Sequence, residues 1–199
     1  MEAVSRPVPF RARRPHPRVS PVAPVADVQG QNFIAAGLLR VLPEEQAFWM
    51  LAFVVESFLP EHYSELMTGS VVDCKVLAEL LARRMPDVAA KLSALEVSVQ
   101  LLATRWFLCF WSSILPPATL VRVYDVLFTI GPHATLLVAL ACFRVIRPSI
   151  LAATNADELT LSAVMSPLEQ ASIAMCMCHV PCACACAYAD ELSACACAM

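Results

Sequence analysis

Charged residues and glycine are both scarce in this 199-residue chain. Lysine, arginine, aspartate and glutamate together make up 16% of the residues, whereas soluble domains usually carry about a quarter. The chain contains four glycines, and 59% of its residues are hydrophobic. This composition fits two classes of protein: a helical domain with a large buried core, and a membrane protein. The arrangement of the apolar residues separates the two classes.

The chain also lacks a long apolar run that is free of helix breakers. The least polar stretches are residues 106–121 and 123–146. The first contains two consecutive prolines, and the second is interrupted by Asp125 and by Gly131–Pro132. A membrane-spanning helix needs about 20 predominantly apolar residues. We therefore interpret both stretches as buried helices of a folded domain, and a small membrane protein remains an alternative hypothesis.

The first 27 residues contain no apolar run long enough for a signal peptide. They are rich in arginine and proline instead: Arg6, Arg11, Arg13, Arg14, Arg18, Pro7, Pro9, Pro15, Pro17, Pro21 and Pro24. The prolines oppose the amphipathic helix that a transit peptide requires. We predict that residues 1–27 form a disordered Pro/Arg-rich arm. Its positive charge suits anionic surfaces in general, but no nucleic-acid partner is expected.

From Gln29 onward, apolar residues recur at the spacing of helices and not in alternation. One stripe contains Phe48, Leu51, Ala52, Val55 and Leu59, and a second, in a helix over 70–85, contains Val72, Val76, Leu77, Leu80 and Leu81. Further helices are predicted over 86–95, 100–113, 117–128 and 134–146, and Asn155 is a predicted N-cap for a last helix ending near Met165. The pattern predicts an all-α fold with short connections over residues 28–165.

Several conspicuous side chains of this region have structural interpretations. The three tryptophans stand at helical spacing among phenylalanines and are predicted to lie in the core: Trp49, Trp106 and Trp111. The isolated histidines next to proline or glycine are predicted at turns: His62 and His133. Asp73 and Asp125 are expected to cap helices or to pair with Arg105 or Arg122. The region has no Cys/His nucleophile pair, no Gly-rich phosphate loop and no metal-ligand spacing, so neither a metal nor a cofactor is expected.

Residues 166–199 are a low-complexity tail rich in cysteine and alanine. Seven of the ten cysteines lie there: Cys176, Cys178, Cys182, Cys184, Cys186, Cys195 and Cys197. Thiolates with His179 are potential ligands of a soft metal, but the Cys-x-Cys repeats lack the usual Cys-x-x-Cys spacing. A disulfide framework needs a secreted protein, and nothing marks this one as secreted. We favour the hypothesis that the tail is a translated TG-rich DNA repeat without selected chemistry.

The order of motifs from Gln29 onward resembles the TBC domains that activate Rab GTPases. Residues 28–36 resemble the family's Tyr-x-Gln-Gly-Met-Asn motif, and residues 45–49 its acid-Ala-Phe-Trp run. Residues 59–63 resemble the Leu-Pro-x-Tyr-Tyr that follows, and residues 106–128 resemble the Trp-Phe-x-x-x-Phe, Leu-Pro and Leu-Arg-x-Trp-Asp-x-Phe signatures. The resemblance covers residues 29–165, in the order in which the family has these motifs.

The resemblance implies an all-α TBC domain of which the chain carries the C-terminal portion, so that the domain is N-terminally truncated. It implies a Rab-like small GTPase, bound to GTP, as the partner in vesicle trafficking. The protein would then be a GTPase activator, which stimulates hydrolysis by its partner and is not an enzyme in its own right. A cytoplasmic location, with peripheral association with endomembranes through the partner, follows from the same resemblance.

By resemblance, Gln29 is the catalytic glutamine finger, and Gly30 and Asn32 are partner-binding positions. The family's second finger is an arginine in an upstream Ile-x-x-Asp-x-x-Arg motif. This sequence has no isoleucine and no aspartate before Asp27, which itself replaces the family's usual tyrosine. An arginine finger contributes a factor of about 10³–10⁵ to the rate of hydrolysis. We therefore expect reduced or lost activity, and a non-catalytic GTPase-binding scaffold is the alternative hypothesis.

Overall fold

The structure, a computed structural model, describes residues 29–159 and residue 168. These residues form seven α-helices: α1 (Gln31–Leu38), α2 (Glu44–Phe53), α3 (Thr68–Arg84), α4 (Pro86–Ala94), α5 (Val99–Leu108), α6 (Pro117–Ile130) and α7 (Ala134–Ala152). The described part of the chain contains no β-strand, which confirms the prediction of an all-α fold. The predicted disordered arm (residues 1–27) and, apart from residue 168, the Cys/Ala-rich tail lie outside the described residues.

Helix α7 is the centre of the core. It packs against α3, α4, α5 and α6, and apolar side chains cover it nearly all round, as is typical of a fully buried helix. Among the described residues it is the one helix long and apolar enough to span a membrane, with a mean hydropathy of 1.7. However, 67% of that apolar window is buried inside the protein itself, which is the arrangement of a core helix.

Proline positions determine where α3 ends and α4 begins. Helix α3 ends at Arg84 because the next residue, Met85, precedes Pro86 and adopts an extended φ of −139°. Pro86 then occupies the first turn of α4, where its missing N–H costs no hydrogen bond. The predicted stripe of α3 is buried except at Val72, which is 43% exposed.

Helix α2 contradicts the predicted burial of its aromatic residues. Phe48 is 60% exposed and Trp49 is 63% exposed, so the prediction that both lie in the core is wrong. The helix is apolar on almost every side, and it buries the small Ala47 in place of the large rings. After Phe53 the chain continues as a wider π-helical turn over Val54–Phe58, which changes the phase of the apolar stripe. Burial of Trp106 and Trp111 is confirmed, since both are fully buried.

The turn after α5 is irregular where a continuous helix was predicted. Helix α5 ends at Leu108, and not near Ser113, because Phe110 and Trp111 adopt positive φ angles of 48° and 59°. A left-handed backbone costs an ordinary residue about 1–2 kcal/mol. Both rings are fully buried. The Phe110 ring stacks on the Tyr124 ring, with 5.1 Å between the ring centres. Burial of two large aromatic rings offsets the backbone cost.

The two predicted histidine turns differ in their surroundings. His133 is exposed and lies in the turn before α7, as predicted. His62 also lies in a turn, the short 3-10 segment Pro60–His62, but it is buried and its Nε2 atom is 3.1 Å from Asp73 Oδ2. The description of His62 as isolated is therefore wrong, and Asp73 pairs with a histidine and not with an arginine. Asp125 is 3.8 Å from Arg122, as expected.

The last described segment is a short turn. Asn155 caps it, since its Oδ1 atom accepts a hydrogen bond from the Glu158 N–H at 2.9 Å. The turn covers Asp157–Leu159. The predicted continuation of a helix to Met165 lies outside the described residues.

Candidate functional site

Gln29 lies in the turn directly before α1 and is exposed. The next residue, Gly30, begins the helix: its carbonyl oxygen accepts hydrogen bonds from the N–H groups of Phe33 and Ile34 at 3.0 and 3.3 Å. Two residues later, Asn32 is also exposed. The predicted catalytic residue and one predicted partner-binding residue are therefore accessible at one end of a helix.

Gly30 is buried, and its surroundings allow no side chain. A Cβ atom added there would lie 2.7 Å from the carbonyl oxygen of Leu108, and the backbone has a φ of 134°. Both conditions favour glycine over any other residue. The family resemblance predicted Gly30 as a partner-binding position. In the structure the close approach is to the chain's own α5, so Gly30 fixes the turn that carries Gln29.

The Leu108 carbonyl is held from a second side by Tyr63. The Tyr63 hydroxyl donates a hydrogen bond to it at 3.3 Å. Tyr63 is fully buried, and this burial raises the pKa of its hydroxyl well above the usual range. The hydroxyl therefore holds its proton more tightly than an exposed tyrosine does, and it is the donor in this contact. Tyr63 belongs to the Leu-Pro-x-x-Tyr sequence that resembles a family motif, although its contact was not predicted.

The other end of α1 packs against the irregular turn that follows α5. A Cβ atom at Gly37 would lie 2.8 Å from the Oγ atom of Ser112. The Ser112 hydroxyl in turn shares a hydrogen bond of 2.5 Å with the Tyr124 hydroxyl. Helix α1 therefore contacts the last residue of α5 at Gly30 and the turn after α5 at Gly37. Close packing at these two glycines sets the position of the turn that carries Gln29.

Arg105 places a positive charge beside the start of α1. Its guanidinium lies 5.9 Å from the centre of the Phe33 ring, within the range of a cation–π interaction. Its Nε atom donates a hydrogen bond to Ser113 Oγ at 3.3 Å. The residue is exposed, so the charge is accessible to a partner. The sequence predicted an aspartate as the partner of Arg105. The contact with Phe33 was not predicted, because it joins residues that are far apart in the chain.

The described residues assemble no group of three or more potential metal ligands. The cysteines with a described environment are buried thiols: Cys74, Cys109 and Cys142. The groups described near Gln29 include its own amide, the Arg105 guanidinium and backbone hydrogen-bonding groups. Such groups position a partner's reacting atoms and stabilise charge.

Comparisons with known proteins agree with this fold. The family described as Rab-GTPase-TBC domain matches residues 26–151. Growth hormone-regulated TBC protein 1 of Homo sapiens is 39% identical over 132 residues, which cover 66% of this chain and 39% of the relative. TBC1 domain family member 2A of Rattus norvegicus is 38% identical over 133 residues, which cover 66% of this chain and 14% of the relative. The chain thus spans well under half the length of these relatives.

Two solved structures share the architecture. The Chlamydomonas flagellar RabGAP TBC domain has a TM-score of 0.67 and 31% identity, over 77% of this chain and 53% of that one. The Ypt/Rab-GAP domain of Gyp1p has a TM-score of 0.57 and 17% identity, over 71% of this chain and 57% of that one. At this identity, the likeness supports the fold alone. The sequence match, the helical architecture and the order of the motifs agree, and the chain belongs to the Rab-GTPase-TBC domain family.

Proposed function

We propose that this chain binds a Rab-like GTPase in its GTP-bound state and presents Gln29 to the nucleotide. The observation that carries the proposal is the exposure of Gln29 on a turn that Gly30 fixes against the Leu108 carbonyl. Family membership supports the class of partner, since the solved relative is a RabGAP TBC domain. Recruitment of the chain to endomembranes would then take place through this partner, from the cytoplasm.

The chemistry of an amide suits the hydrolysis of a γ-phosphate. Proteins accelerate this reaction mainly by positioning the attacking water and by stabilising charge on the phosphate oxygens. The Gln29 side chain can accept a hydrogen bond from water through its carbonyl oxygen and donate one to a phosphate oxygen through its NH₂ group. Arg105 adds positive charge at the same end of α1 and favours an acidic partner surface.

The proposed activity is weak stimulation. No Ile-x-x-Asp-x-x-Arg motif precedes Gln29 in this sequence. Without an arginine finger, a contribution of about 10³–10⁵ to the rate is lost. Gln29 alone would then supply a small residual stimulation, and the chain would bind its partner more effectively than it activates it.

Single-turnover GTP hydrolysis across a panel of Rab GTPases tests this proposal. We expect at least one Rab to bind the chain and to hydrolyse GTP slightly faster in its presence, and we expect Gln29→Ala to remove the stimulation while binding persists. Gln100→Ala is the matched control, since Gln100 is an exposed glutamine near the start of another helix. That control should behave as the unmodified chain does.

The outcomes separate the two candidate roles. Binding with no stimulation, and with equal affinity in the unmodified chain and Gln29→Ala, would identify a scaffold and remove Gln29 from the mechanism. The scaffold is favoured by one feature of the sequence, the missing arginine motif. Failure of every Rab to bind would contradict both roles.

A further inference from the structure

Arg105 carries an isolated charge beside the candidate site. Residues 97–121, which include all of α5, contain no other charged residue, and residues 29–39, which include all of α1, contain none. The side chain is exposed, and it forms no ion pair with a described carboxylate. A positive charge that its own surroundings leave uncompensated favours a negatively charged group on a partner.

Two contacts hold the Arg105 guanidinium against the protein's own surface. Its Nε atom donates a hydrogen bond to Ser113 Oγ at 3.3 Å, and its Cζ atom lies 5.9 Å from the centre of the Phe33 ring. The described hydrogen bond uses Nε, which leaves the two terminal nitrogens, Nη1 and Nη2, to a partner. A guanidinium presents such a pair of donors in the geometry that a carboxylate accepts with two hydrogen bonds. Because the group is already held in place, binding orders it at little cost.

The same two contacts separate Arg105 from an arginine finger. A finger acts in trans on the phosphates of a nucleotide bound inside the partner, so its side chain has to extend away from its own protein. Extension of Arg105 would break the hydrogen bond to Ser113 and the contact with Phe33. The held guanidinium is suited instead to a group that comes to it, and a carboxylate on the partner's surface is such a group.

The guanidinium lies about one helical turn from Gln29. Phe33, which it contacts, belongs to the first turn of α1, and the Phe33 N–H donates a hydrogen bond to the Gly30 carbonyl at 3.0 Å. One turn of helix is about 5.4 Å long. Gln29 directly precedes Gly30 and is exposed. A partner that binds Arg105 therefore also meets the turn that carries Gln29.

We infer that Arg105 binds a surface carboxylate of the partner GTPase, beside the nucleotide site, and that it determines affinity and partner choice while Gln29 acts on the rate of hydrolysis. This inference rests on the proposed function, since it names a contact of the same complex. A GTPase with an acidic residue at the facing position is accepted. One with a basic residue there is rejected by the repulsion of like charges.

Two measurements on a Rab that binds the full chain test the division of roles. The first is the dissociation constant for the Rab loaded with a non-hydrolysable GTP analogue, and the second is the rate of GTP hydrolysis at a saturating concentration of the chain. We expect Arg105→Ala to weaken binding about tenfold, as the loss of one charge-assisted contact does, and to leave the saturated rate unchanged. Gln29→Ala should lower the saturated rate and leave the affinity unchanged.

The contribution of Arg105 has two further signatures. Arg105→Lys keeps the charge but loses the paired donors, so its affinity should fall between those of the unmodified chain and Arg105→Ala. High salt should reduce the difference between these variants, because it screens exposed charges. Charge reversal identifies the facing residue: Arg105→Glu should bind weakly, and replacement of one acidic surface residue of the Rab by arginine should restore its binding.

Arg144→Ala is the matched control. Arg144 is also an exposed arginine, but it lies on α7, beside Met85 and Pro86. Its removal changes the net charge of the chain by the same amount and should leave both the affinity and the saturated rate unchanged. Circular dichroism checks that each variant keeps its helices.

Three results would overturn the inference while the proposed function stands. The first is equal affinity of the unmodified chain and Arg105→Ala. The second is a lower saturated rate with unchanged affinity in Arg105→Ala, which would place the guanidinium on the phosphates. The third is an equal loss of affinity in Arg144→Ala, which would indicate a general effect of charge. Failure of the unmodified chain to bind any Rab would contradict the proposed function and the inference together.

Discussion

One backbone carbonyl, that of Leu108, determines where Gln29 sits. Gly30 packs directly on it, and the Tyr63 hydroxyl donates a hydrogen bond to it. Neither contact involves the Gln29 side chain. The turn is therefore positioned by groups that are buried and uncharged, so its geometry should be insensitive to salt and to pH. A side chain held on such a turn keeps its own freedom to meet a partner.

Substitution of Gly30 measures how tightly this turn is packed. Gly30→Ala would force a non-glycine residue into a φ of 134° and put its Cβ atom 2.7 Å from the Leu108 oxygen. Gly131→Ala is the matched control, because Gly131 has a φ of 112° but its nearest neighbour would be 3.6 Å from the Cβ atom. Backbone strain costs about 1–3 kcal/mol at either position. We expect Gly30→Ala to lower the free energy of unfolding by roughly 1–3 kcal/mol more than the control does, because overpacking adds to the strain.

Denaturant unfolding followed by circular dichroism gives both values. Equal losses in the two variants would mean that Gly30 is not packed against α5. A larger loss in Gly131→Ala would contradict the arrangement of the candidate site.

A local sequence motif predicts Gln29 and Asn32 as site residues, and the structure places both at the surface; their roles stay predictions. The contacts of Tyr63 and Arg105 were not predicted, because each joins helices that are distant in the sequence. A local pattern contains no information on which carbonyl a buried hydroxyl will meet.

Helix boundaries depend on how strong the local signal is. Pro86 and Pro117 are unambiguous signals, and α4 and α6 begin at these residues as predicted. The end of α5 had no such signal: the residues that adopt positive φ are Phe110 and Trp111, and aromatic residues rarely do so. The sequence also did not show which side of α2 is buried, since a helix with apolar residues on most sides has no unique inward face.

An ion pair joins α4 to α7. Both the Nε and Nη2 atoms of Arg147 are 2.7 Å from the Oδ2 atom of Asp87. This hydrogen-bonded arginine holds the pKa of the Asp87 carboxyl below its usual range. The folded state therefore binds the proton less readily than the unfolded state does. The contribution of the pair to stability is complete above the unfolded pKa of about 3.9 and is lost as the pH falls through the lowered folded value.

Asp87→Asn tests this contribution. We expect the variant to melt at a slightly lower temperature than the unmodified chain at pH 7 and at the same temperature below the folded pKa of Asp87. Asp125→Asn is the control, because its partner Arg122 is 3.8 Å away and both side chains are mostly exposed; that change should have little effect at any pH. A difference between Asp87→Asn and the unmodified chain that persists or grows in acid would contradict a lowered pKa of Asp87 in the folded state.

At the scale of the whole molecule, the high hydrophobic content is explained by the burial of α7. Its side chains contact four other helices, and the composition that fits a membrane protein equally fits a core of this kind. Sequence alone left both hypotheses open, since burial by lipid and burial by protein favour the same residues. The packing of neighbouring helices around α7 is information that only the three-dimensional arrangement contains.

Membrane fractionation separates the two hypotheses. We expect alkaline carbonate to release the full chain from membranes, because 67% of the apolar window of α7 is covered by protein. Flotation in a density gradient is the control, since aggregated protein sinks while membrane-integrated protein rises. A carbonate-resistant, floating chain would show that α7 leaves the core and enters the bilayer.

The paired left-handed residues Phe110 and Trp111 affect how this fold can evolve. Glycine would relieve the backbone at either position but would delete a fully buried ring. A rearrangement of the turn would displace Ser112, against which Gly37 packs. Replacement of either residue by glycine thus relieves the backbone only at the expense of the buried ring. The α5–α6 corner can therefore change only by concerted, compensating replacements.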